Sequence, residues 1–438
     1  MRNRRALTLG LTLTALLAGS VPATAAASHR AAPVQGTPAA RNATHCPQLS
    51  KDLTWYGHNR AKLQRTIDER GTCGNPGLAD GHGRAPVAAF DWDNTMTKND
   101  VTDATIDWSL LHDKILRPAR WRDTSKWLTP AADRALTAAC GTSVPVGAPL
   151  PTSTDADCAD EILEIRGEAR TMGGEEAFAG TWNHRHTVPE YAWVPQLFAG
   201  HTDAELRSYA AAGRKAALAA PVGSTQKIGT HTVPAYVRYY AQQKDLVRTL
   251  RRAGFDVYIV SAGSEPVTEV WSESVGFDRD HTIAIRSLLD HGKITYGMQG
   301  CGDVPDSKGE AIPYIDGKRC WINQEIFHIK GAEAWRLQDP AHRIALGGGD
   351  ADTDVTFVND ATGAHLAINR NKNELMCRGY DNADDRWVVN PMFIEPLPRK
   401  SGSYPCATAA YINTDGVLGP VRRPDGTVVP DQRDRIHG

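Results

Sequence analysis

The sequence predicts an α/β fold: a doubly wound, Rossmann-like parallel sheet with a mainly helical domain inserted after its first strand. The first observation behind this prediction is that short apolar runs ending in polar residues, at 87–90, 255–261 and 343–346, alternate with helical patterns. The second is the helical, tryptophan-rich texture of residues 101–253, which interrupts that alternation directly after the first strand. A helical stretch in that place predicts an insertion into the sheet domain.

The composition is that of an ordinary globular protein. The chain has 438 residues, of which 41% are hydrophobic and 23% charged, and its net charge is −2. Binding to a phosphate backbone needs a basic face, so this near-neutral charge argues against a nucleic-acid partner. A small-molecule partner is expected instead, and the sequence leaves the oligomeric state open.

The N-terminus has the pattern of an export signal. Arginines precede an apolar run at 6–18, and small residues at 23–27 offer cleavage sites. A membrane anchor needs about 20 apolar residues, so this run is too short for stable membrane insertion. We predict a secreted protein whose signal peptide is 1–27; the pair Arg4-Arg5 leaves the Sec and Tat routes both open.

Residue composition and hydrophobic pattern divide the rest of the chain into five segments. We predict a flexible leader, the start of the sheet domain, the helical insertion, the remainder of the sheet domain and a C-terminal tail that either wraps the surface or is disordered. These segments are, in order, 28–48, 49–100, 101–253, 254–415 and 416–438.

The eight cysteines form an even set in a chain with an export signal, so disulfides are expected. None lies in a C-x-x-C pair, which argues against zinc or redox motifs. The cysteines fall into local couples that flank Gly-, Pro- or Asp-rich loops. We therefore predict the pairs Cys46–Cys73, Cys140–Cys158, Cys301–Cys320 and Cys377–Cys406.

The first predicted strand ends in Asp91-Trp-Asp93-Asn-Thr95. In open α/β sheets, ligands bind just outside the carboxyl ends of the strands. One carboxylate there can act as a nucleophile while its neighbour transfers the leaving group's proton. An ordinary Asp/Asn-rich turn after a strand is the alternative for this segment alone.

Three other strand or helix ends carry polar residues that can converge on this segment. Ser261 ends the second strand, where a hydroxyl and backbone N–H groups can hold an anion. Lys330 opens an amphipathic segment and can pair with a phosphate or with Asp91. Asp350 and Asp354 follow the third strand and offer the hard oxygen ligands that Mg²⁺ prefers.

This ordered set resembles the haloacid dehalogenase superfamily, whose motifs are D-x-D-x-T, a strand-ending Ser, a Lys and G-D-x-x-x-D. The helical insertion lies where that superfamily places its C1-type cap. The resemblance implies that Asp91 attacks phosphorus to form an aspartyl-phosphate, with Asp93 as the proton donor and later the base. A dehalogenase expels halide without such a donor, so Asp93 favours a phosphatase.

The resemblance also implies a Mg²⁺ cofactor held by Asp91, the backbone carbonyl of Asp93, and Asp350, with Asp354 as a second or outer ligand. It assigns phosphate binding to Ser261, Lys330 and Thr95. Lys330 would in addition orient Asp91, and Thr95 would order the loop.

Within the superfamily, the chain is more similar to exported phosphorylcholine phosphatases, at 191–200, 255–262, 368–372 and 386–389. Those enzymes keep a cation-binding pocket in the cap, and a trimethylammonium group is stabilised over aromatic faces. The resemblance therefore proposes head-group residues, although most aromatic side chains in a helical domain belong to its core. The proposed residues are Tyr191, Trp193, Trp182 and Glu190.

One departure from that family points the other way. Its acidic stretch before Tyr191 is replaced here by His184-Arg185-His186-Thr187, which would favour an anionic substrate or, less plainly, a histidine metal site. The sequence thus predicts a secreted Mg²⁺-dependent phosphomonoesterase acting on a small phosphomonoester such as phosphocholine. The alternatives are a general acid phosphatase or phosphotransferase for anionic phosphomonoesters and a non-catalytic secreted binding protein.

Overall fold

The computed structural model describes residues 46–74 and 83–438. The predicted signal peptide and nearly all of the predicted leader lie outside the described residues. Among the described residues, no helix combines the length and the apolar character needed to cross a bilayer.

A six-stranded parallel sheet forms the centre of the protein, as predicted. Its central strands are buried along their whole length, which is usual for parallel sheets covered by helices on both faces. The strands, in spatial order, are β12 (Trp387–Pro391), β11 (Ala364–Asn369), β10 (Leu346–Gly349), β1 (Val87–Phe90), β6 (Asp256–Ser264) and β7 (Thr282–Ile285).

The strand order reverses at β1, which pairs with β10 on one side and β6 on the other. Connections therefore leave in opposite directions and open a crevice outside the tip of β1, where ligands bind in such sheets. The close approach of β10 depends on Gly348, since a Cβ there would lie 2.5 Å from the Phe90 ring. The residues that follow Phe90 therefore lie at the centre of the crevice.

Helices cover both faces of this sheet. They are α1 (Asn59–Arg70), α7 (Ala241–Arg252), α8 (Glu265–Ser272), α9 (Asp316–Trp321), α10 (Val355–Asp360) and α11 (Asn373–Asp381). A π-helical turn, Ile322–Ile326, continues α9.

Between β1 and β6 the chain is mainly helical, as the fold prediction requires. A short antiparallel ribbon of β2 (Thr97–Lys98) and β5 (Arg238–Tyr239) closes its base. The other elements are α2 (Val101–Leu111), α3 (Pro130–Cys140), α4 (Ala156–Glu168), α5 (Pro189–Gln196), α6 (Asp203–Ala219) and the hairpin of β3 (Thr225–Ile228) and β4 (His231–Pro234).

Local sequence explains several boundaries in this helical region. Thr202 and Glu205 form the capping box expected at the start of α6. A second hairpin, β8 (Ser287–Asp290) and β9 (Lys293–Met298), follows β7 in the sequence and packs against this helical region. Its Tyr296 carbonyl accepts a hydrogen bond of 2.8 Å from the Gln196 side chain of α5.

All four predicted disulfides are confirmed: Cys46–Cys73, Cys140–Cys158, Cys301–Cys320 and Cys377–Cys406. After β12, the chain wraps over the α11 side of the sheet and includes a small ribbon of β13 (Tyr411–Ile412) and β14 (Leu418–Gly419). Residues 416–438, predicted to wrap or to be disordered, bury Val421, Val429 and Asp434.

Candidate active site

Asp91 lies at the tip of β1, at the switch point of the sheet. Its amide donates to the Gly348 carbonyl at 2.9 Å, which continues the strand pairing by one residue. The side chain is buried, with 6% of the residue exposed into the crevice. Asp93 is half-buried on the same turn, and its Oδ1 accepts the Val101 amide of α2 at 2.7 Å.

The lysine at Asp91 is Lys318, not the predicted Lys330. The Lys318 Nζ donates to Asp91 Oδ1 and to Asp354 Oδ1, both at 2.6 Å, and the residue is fully buried. Lys330 is exposed and precedes a 3₁₀ turn at Gly331–Trp335. Burial alone would lower the pKa of Lys318, but Asp354 and Asp91 raise it above its ordinary value.

Three carboxylates cluster beside this lysine. Asp91, Asp350 and Asp354 each place an oxygen within 4.8 Å of the others. Asp354 is held on both oxygens, because its Oδ2 accepts the amides of Asp350 and Ala351 at 2.9 and 3.0 Å while Oδ1 accepts Lys318. Asp91 and Asp350 each accept fewer hydrogen bonds than Asp354 does.

Asp350 is fixed by one donor on each oxygen. The Thr95 hydroxyl donates to Oδ1 at 2.7 Å, and the Arg370 Nη1 donates to Oδ2 at 2.6 Å. Thr95 is fully buried and is not among the residues that line the cavity, so its assignment to phosphate binding stays a prediction. Its predicted part in ordering the loop agrees with the contact to Asp350.

The cluster fits a divalent cation. Three buried carboxylates are faced by two cationic side chains, Lys318 and Arg370, which leaves a negative charge at the site. Burial and the charge of Asp354 raise the pKa of Asp91 well above its ordinary value, although Lys318 opposes the shift. A bound cation would compensate this buried charge, and oxygen-only donors are what Mg²⁺ prefers.

Ser261 lies across the crevice from this cluster, within the β6 strand. It is buried, and its Oγ accepts the Gly263 amide at 3.1 Å. Ser261 and Gly263 line the same cavity as Asp91 and Asp93. A hydroxyl and a backbone amide at this point can bind the oxygens of a phosphoryl group.

Asp93 has the environment of a proton donor. Burial, with the nearby charges of Asp100 and Asp91, raises the pKa of Asp93 well above its ordinary value. A carboxyl group with a raised pKa is suited to give a proton to a leaving oxygen. The position of this side chain and the direction of its pKa shift therefore favour the same role.

A cavity of about 480 Å³ extends from Asp91 into the helical region. Its far wall is acidic, because it carries Asp100, the N-cap of α2, with Asp103 and Asp107 of α2 and Glu190 in the first turn of α5. Arg166 of α4 is the one cation on this wall, while Arg370 and Lys372 lie on the side of the sheet.

No protein-family model matches the chain. Over 199 residues it is 24% identical to a phosphorylcholine phosphatase from Pseudomonas aeruginosa, a match that covers 41% of this chain and 55% of that protein. The matched part is thus about half the length of this curated relative. The similarity to this phosphatase agrees with the convergence of the motif residues at the tip of β1.

Among solved structures, a conserved protein of unknown function from Anaerococcus prevotii aligns over 78% of this chain and 94% of its own, at 15% identity and a TM-score of 0.46. A substrate-bound phosphoserine phosphatase aligns over 65% of this chain and 86% of its own, at 13% identity and a TM-score of 0.31.

The helical region between β1 and β6 places only two of the four predicted head-group residues at the cavity. Glu190 and Tyr191 line it, and Tyr191 is 42% exposed with its ring edge-on to Tyr314. The assignments of Trp193 and Trp182 were wrong. Trp193 is fully buried and donates to the Thr124 hydroxyl at 2.8 Å, while Trp182 does not line the cavity and packs against Trp127.

Arg185 does not reach the cavity either. The residue is 5% exposed, and its guanidinium donates to Asp316 at 2.8 Å and to Glu374 at 3.2 Å. These pairs connect the cap to α9 and α11, so the interpretation of Arg185 as an anion-binding group was wrong. The neighbouring histidines separate, since His186 stacks on Trp335 and His184 lies against Trp182.

The acidic wall was missed from the sequence. Asp100, Asp103 and Asp107 follow the D-x-D-x-T motif at helical spacing, so one face of α2 carries all three. That spacing is the signal that identifies them. Asp107 is 2% exposed, and its Oδ1 has no hydrogen-bond partner within the described protein.

Proposed function

We propose that this protein is a secreted, Mg²⁺-dependent phosphomonoesterase that works through an aspartyl-phosphate on Asp91. One observation carries the proposal: the Asp91 carboxylate at the switch point is hydrogen-bonded to a fully buried lysine, Lys318. A cation in that place orients the carboxylate and offsets the negative charge of an approaching phosphate.

The reaction has two displacements at phosphorus. In the first, an Asp91 oxygen forms a bond to phosphorus while the bond to the leaving oxygen breaks, and Asp93 gives its proton to that oxygen. In the second, Asp93 takes a proton from water, the water oxygen attacks phosphorus, and the bond to Asp91 breaks. Ser261, oriented by the Gly263 amide, and Lys318 stabilise the phosphoryl oxygens in both steps.

The metal would be held by carboxylate oxygens of Asp91 and Asp350 and by the Asp93 carbonyl, with Asp354 in an outer position. Asp354 accepts hydrogen bonds from Lys318 and from two backbone amides, whereas Asp350 accepts only one on each oxygen, which supports the outer position for Asp354. When bound, Mg²⁺ supplies charge neutralisation between the nucleophile and the phosphate.

The acidic wall supports a substrate with a cationic head group. Asp100, Asp103, Asp107 and Glu190 are faced by Arg166 alone on that wall. The exposed Tyr191 ring adds an aromatic surface of the kind that binds quaternary ammonium groups. Together with the relative named phosphorylcholine phosphatase, these features favour phosphocholine. A preference for anionic phosphomonoesters loses its support with the ion pairs of Arg185.

Export completes the proposal. Four disulfides are typical of proteins that fold outside the reducing cytosol, and the sequence of residues 1–27 supplies a candidate signal. A phosphotransferase would use the same Asp91 intermediate but pass the phosphoryl group to an alcohol. The presence of every motif residue argues against a purely binding role.

The deciding experiment assays the mature protein on phosphocholine, p-nitrophenyl phosphate and a sugar phosphate, each with Mg²⁺ and with EDTA. We expect EDTA to abolish turnover, and phosphocholine to exceed p-nitrophenyl phosphate in kcat/KM by about tenfold, which is ~1.4 kcal/mol of head-group binding. Equal kcat/KM values would reject the choline assignment, and full activity in EDTA would reject the metal. Added acceptor alcohols separate hydrolysis from phosphotransfer.

The substitution Asp107→Asn tests the acidic wall. It removes one carboxylate without changing its size, so at about pH 9, above the pKa of Asp107, we expect KM for phosphocholine to rise about tenfold while p-nitrophenyl phosphate is unaffected. Asp157→Asn, which changes an exposed carboxylate of α4, is the matched control. A parallel loss on both substrates would mean that Asp107 supports the fold instead of the head group.

Phosphocholine binding should strengthen as pH rises. Burial raises the pKa of Asp107 to about 8, with Arg166 opposing the shift and Asp103 and Asp100 adding to it. A cation binds the ionised carboxylate, so affinity is weak below that pKa and reaches a plateau above it. KM measured from pH 6 to 9 should show this trend for phosphocholine. The trend should disappear in Asp107→Asn; its persistence there would assign it to another group.

A further inference from the structure

Arg370 holds the metal-cluster carboxylate from the side opposite to Thr95. Its Nη1 donates to Asp350 Oδ2 at 2.6 Å, and the side chain is half-buried at the edge of the cavity. Asp350 thus has one donor on each oxygen, and both hydrogen bonds are needed to fix the plane of the carboxylate. The position of Arg370 therefore decides how Asp350 faces Asp91.

The loop that carries Arg370 follows β11 and is bound on both sides of the arginine. The Asn369 side chain donates to Asp434 Oδ1 at 3.1 Å and to the Ile436 carbonyl at 2.7 Å. Asn371, which adopts a positive φ of 60°, accepts the Tyr404 hydroxyl at 2.7 Å. All three partners belong to the last forty residues of the chain, and the loop makes its turn against them.

Asp434 is the centre of this attachment. It is 1% exposed, its Oδ1 also accepts the Tyr380 hydroxyl at 2.5 Å, and its Oδ2 accepts the Lys400 amide at 2.9 Å. A buried carboxylate with several donors fixes the groups around it, because each donor would lose its partner if the segment moved. The disulfide Cys377–Cys406 joins the same segment to α11.

We propose that Arg370 is a positioning residue for Asp350, and that the C-terminal segment 400–436 sets its position through Asp434 and Asn369. The inference rests on the proposed function, since it concerns the carboxylate that would bind Mg²⁺. Groups that orient a metal ligand from behind usually change metal affinity by 10–100-fold when they are altered.

The charge of Arg370 and its hydrogen bond to Asp350 have opposite expected effects on Mg²⁺ affinity. The variant must therefore change only one of them. Removing the charge would favour a cation at the cluster, whereas losing the hydrogen bond would release Asp350. Arg370→Lys keeps the charge and removes the planar, longer donor. It therefore isolates the positioning effect.

The experiment titrates Mg²⁺ into the metal-stripped mature protein by isothermal titration calorimetry, with thermal melts to verify folding. We expect a Kd at least tenfold weaker for Arg370→Lys. For Asp434→Asn, which keeps Arg370 but weakens the attachment, we expect about a threefold to tenfold weaker Kd. Asp425→Asn, on the exposed part of the same segment, is the matched control and should bind as the wild type does.

The outcomes separate the two levels of the proposal. A wild-type protein that binds no Mg²⁺ would contradict the proposed function itself. An unchanged or tighter Kd in Arg370→Lys, beside a wild type that does bind, would overturn the positioning role alone. A normal Kd in Asp434→Asn, with a weakened Arg370→Lys, would overturn the part assigned to the C-terminal segment.

Discussion

Asp91→Asn is expected to abolish phosphate release, with a fall in kcat of at least about a thousandfold. An amide oxygen at that position is a poor nucleophile, so the aspartyl-phosphate cannot form, and loss of a covalent nucleophile typically costs this much or more. Steady-state release of inorganic phosphate from phosphocholine or p-nitrophenyl phosphate measures the effect. Mass spectrometry of the acid-quenched wild type should in addition find one phosphoryl group on the peptide that contains Asp91.

The control for this variant comes from the loop of Asp350. Asp352→Asn changes an aspartate near the cluster whose Oδ1 accepts the Leu375 amide of α11 at 2.9 Å and which is outside the three-carboxylate set. An amide can accept that same hydrogen bond, so we expect activity close to that of the wild type. Turnover by Asp91→Asn comparable to that of Asp352→Asn would reject the covalent mechanism.

The second large effect distinguishes the two lysines. Lys318→Met should reduce kcat by about a thousandfold or more, because it removes the cation that contacts Asp91 and that would contact the phosphoryl oxygens of the substrate. It also leaves Asp91 and Asp354 without their shared partner, and breaking a buried ion pair in this way costs about 3–5 kcal/mol of unfolding free energy. Kinetics and thermal melts, each with and without Mg²⁺, measure the two losses.

Lys330→Met is the matched control, since it removes an exposed lysine twelve positions further along the same region. We expect its kcat and its melting temperature to be close to those of the wild type. The reverse pattern, in which Lys330→Met loses activity and Lys318→Met does not, would contradict the assignment made from the structure.

The sheet and the positions of three of the motifs could be predicted from the sequence because each depends on local pattern. Asp91, Ser261 and Asp350 each follow an apolar run that can only be a buried strand, and parallel strands bring their carboxyl ends to one edge. The four disulfides were predictable for a similar reason, since each pair closes a local loop.

The lysine could not be chosen in the same way. Its motif is one residue long, and Lys318 and Lys330 lie in the same region between β9 and β10. What separates them is three-dimensional: Lys318 shares a helical face with apolar neighbours such as Ile315 and Ile322, both buried, while Lys330 begins a short exposed turn. The position of Lys318 among apolar residues is visible in the sequence. A lysine inside an apolar pattern, however, usually argues against burial of that helix face.

The predictions for residues in the helical insertion were wrong for a different reason. Trp193 and Arg185 are types that bind ligands on surfaces, yet both are buried here by contacts distant in sequence, Trp193 with Thr124 and Arg185 with Asp316 and Glu374. No local pattern reports such contacts. The acidic face of α2 is the opposite case. Helical periodicity places its aspartates on one side, and the position of the cavity then gives that side its proposed role.

The helix that carries Lys318 is also the helix that carries Cys320, whose disulfide partner Cys301 follows the β8–β9 hairpin. This covalent joint lies half a helical turn from the lysine that contacts Asp91. Bonds of this kind form and persist in oxidising compartments and not in the cytosol. On the proposed route of export, the Cys301–Cys320 bond would form outside the cytosol, so the frame around Lys318 would be completed only after the chain leaves that reducing compartment.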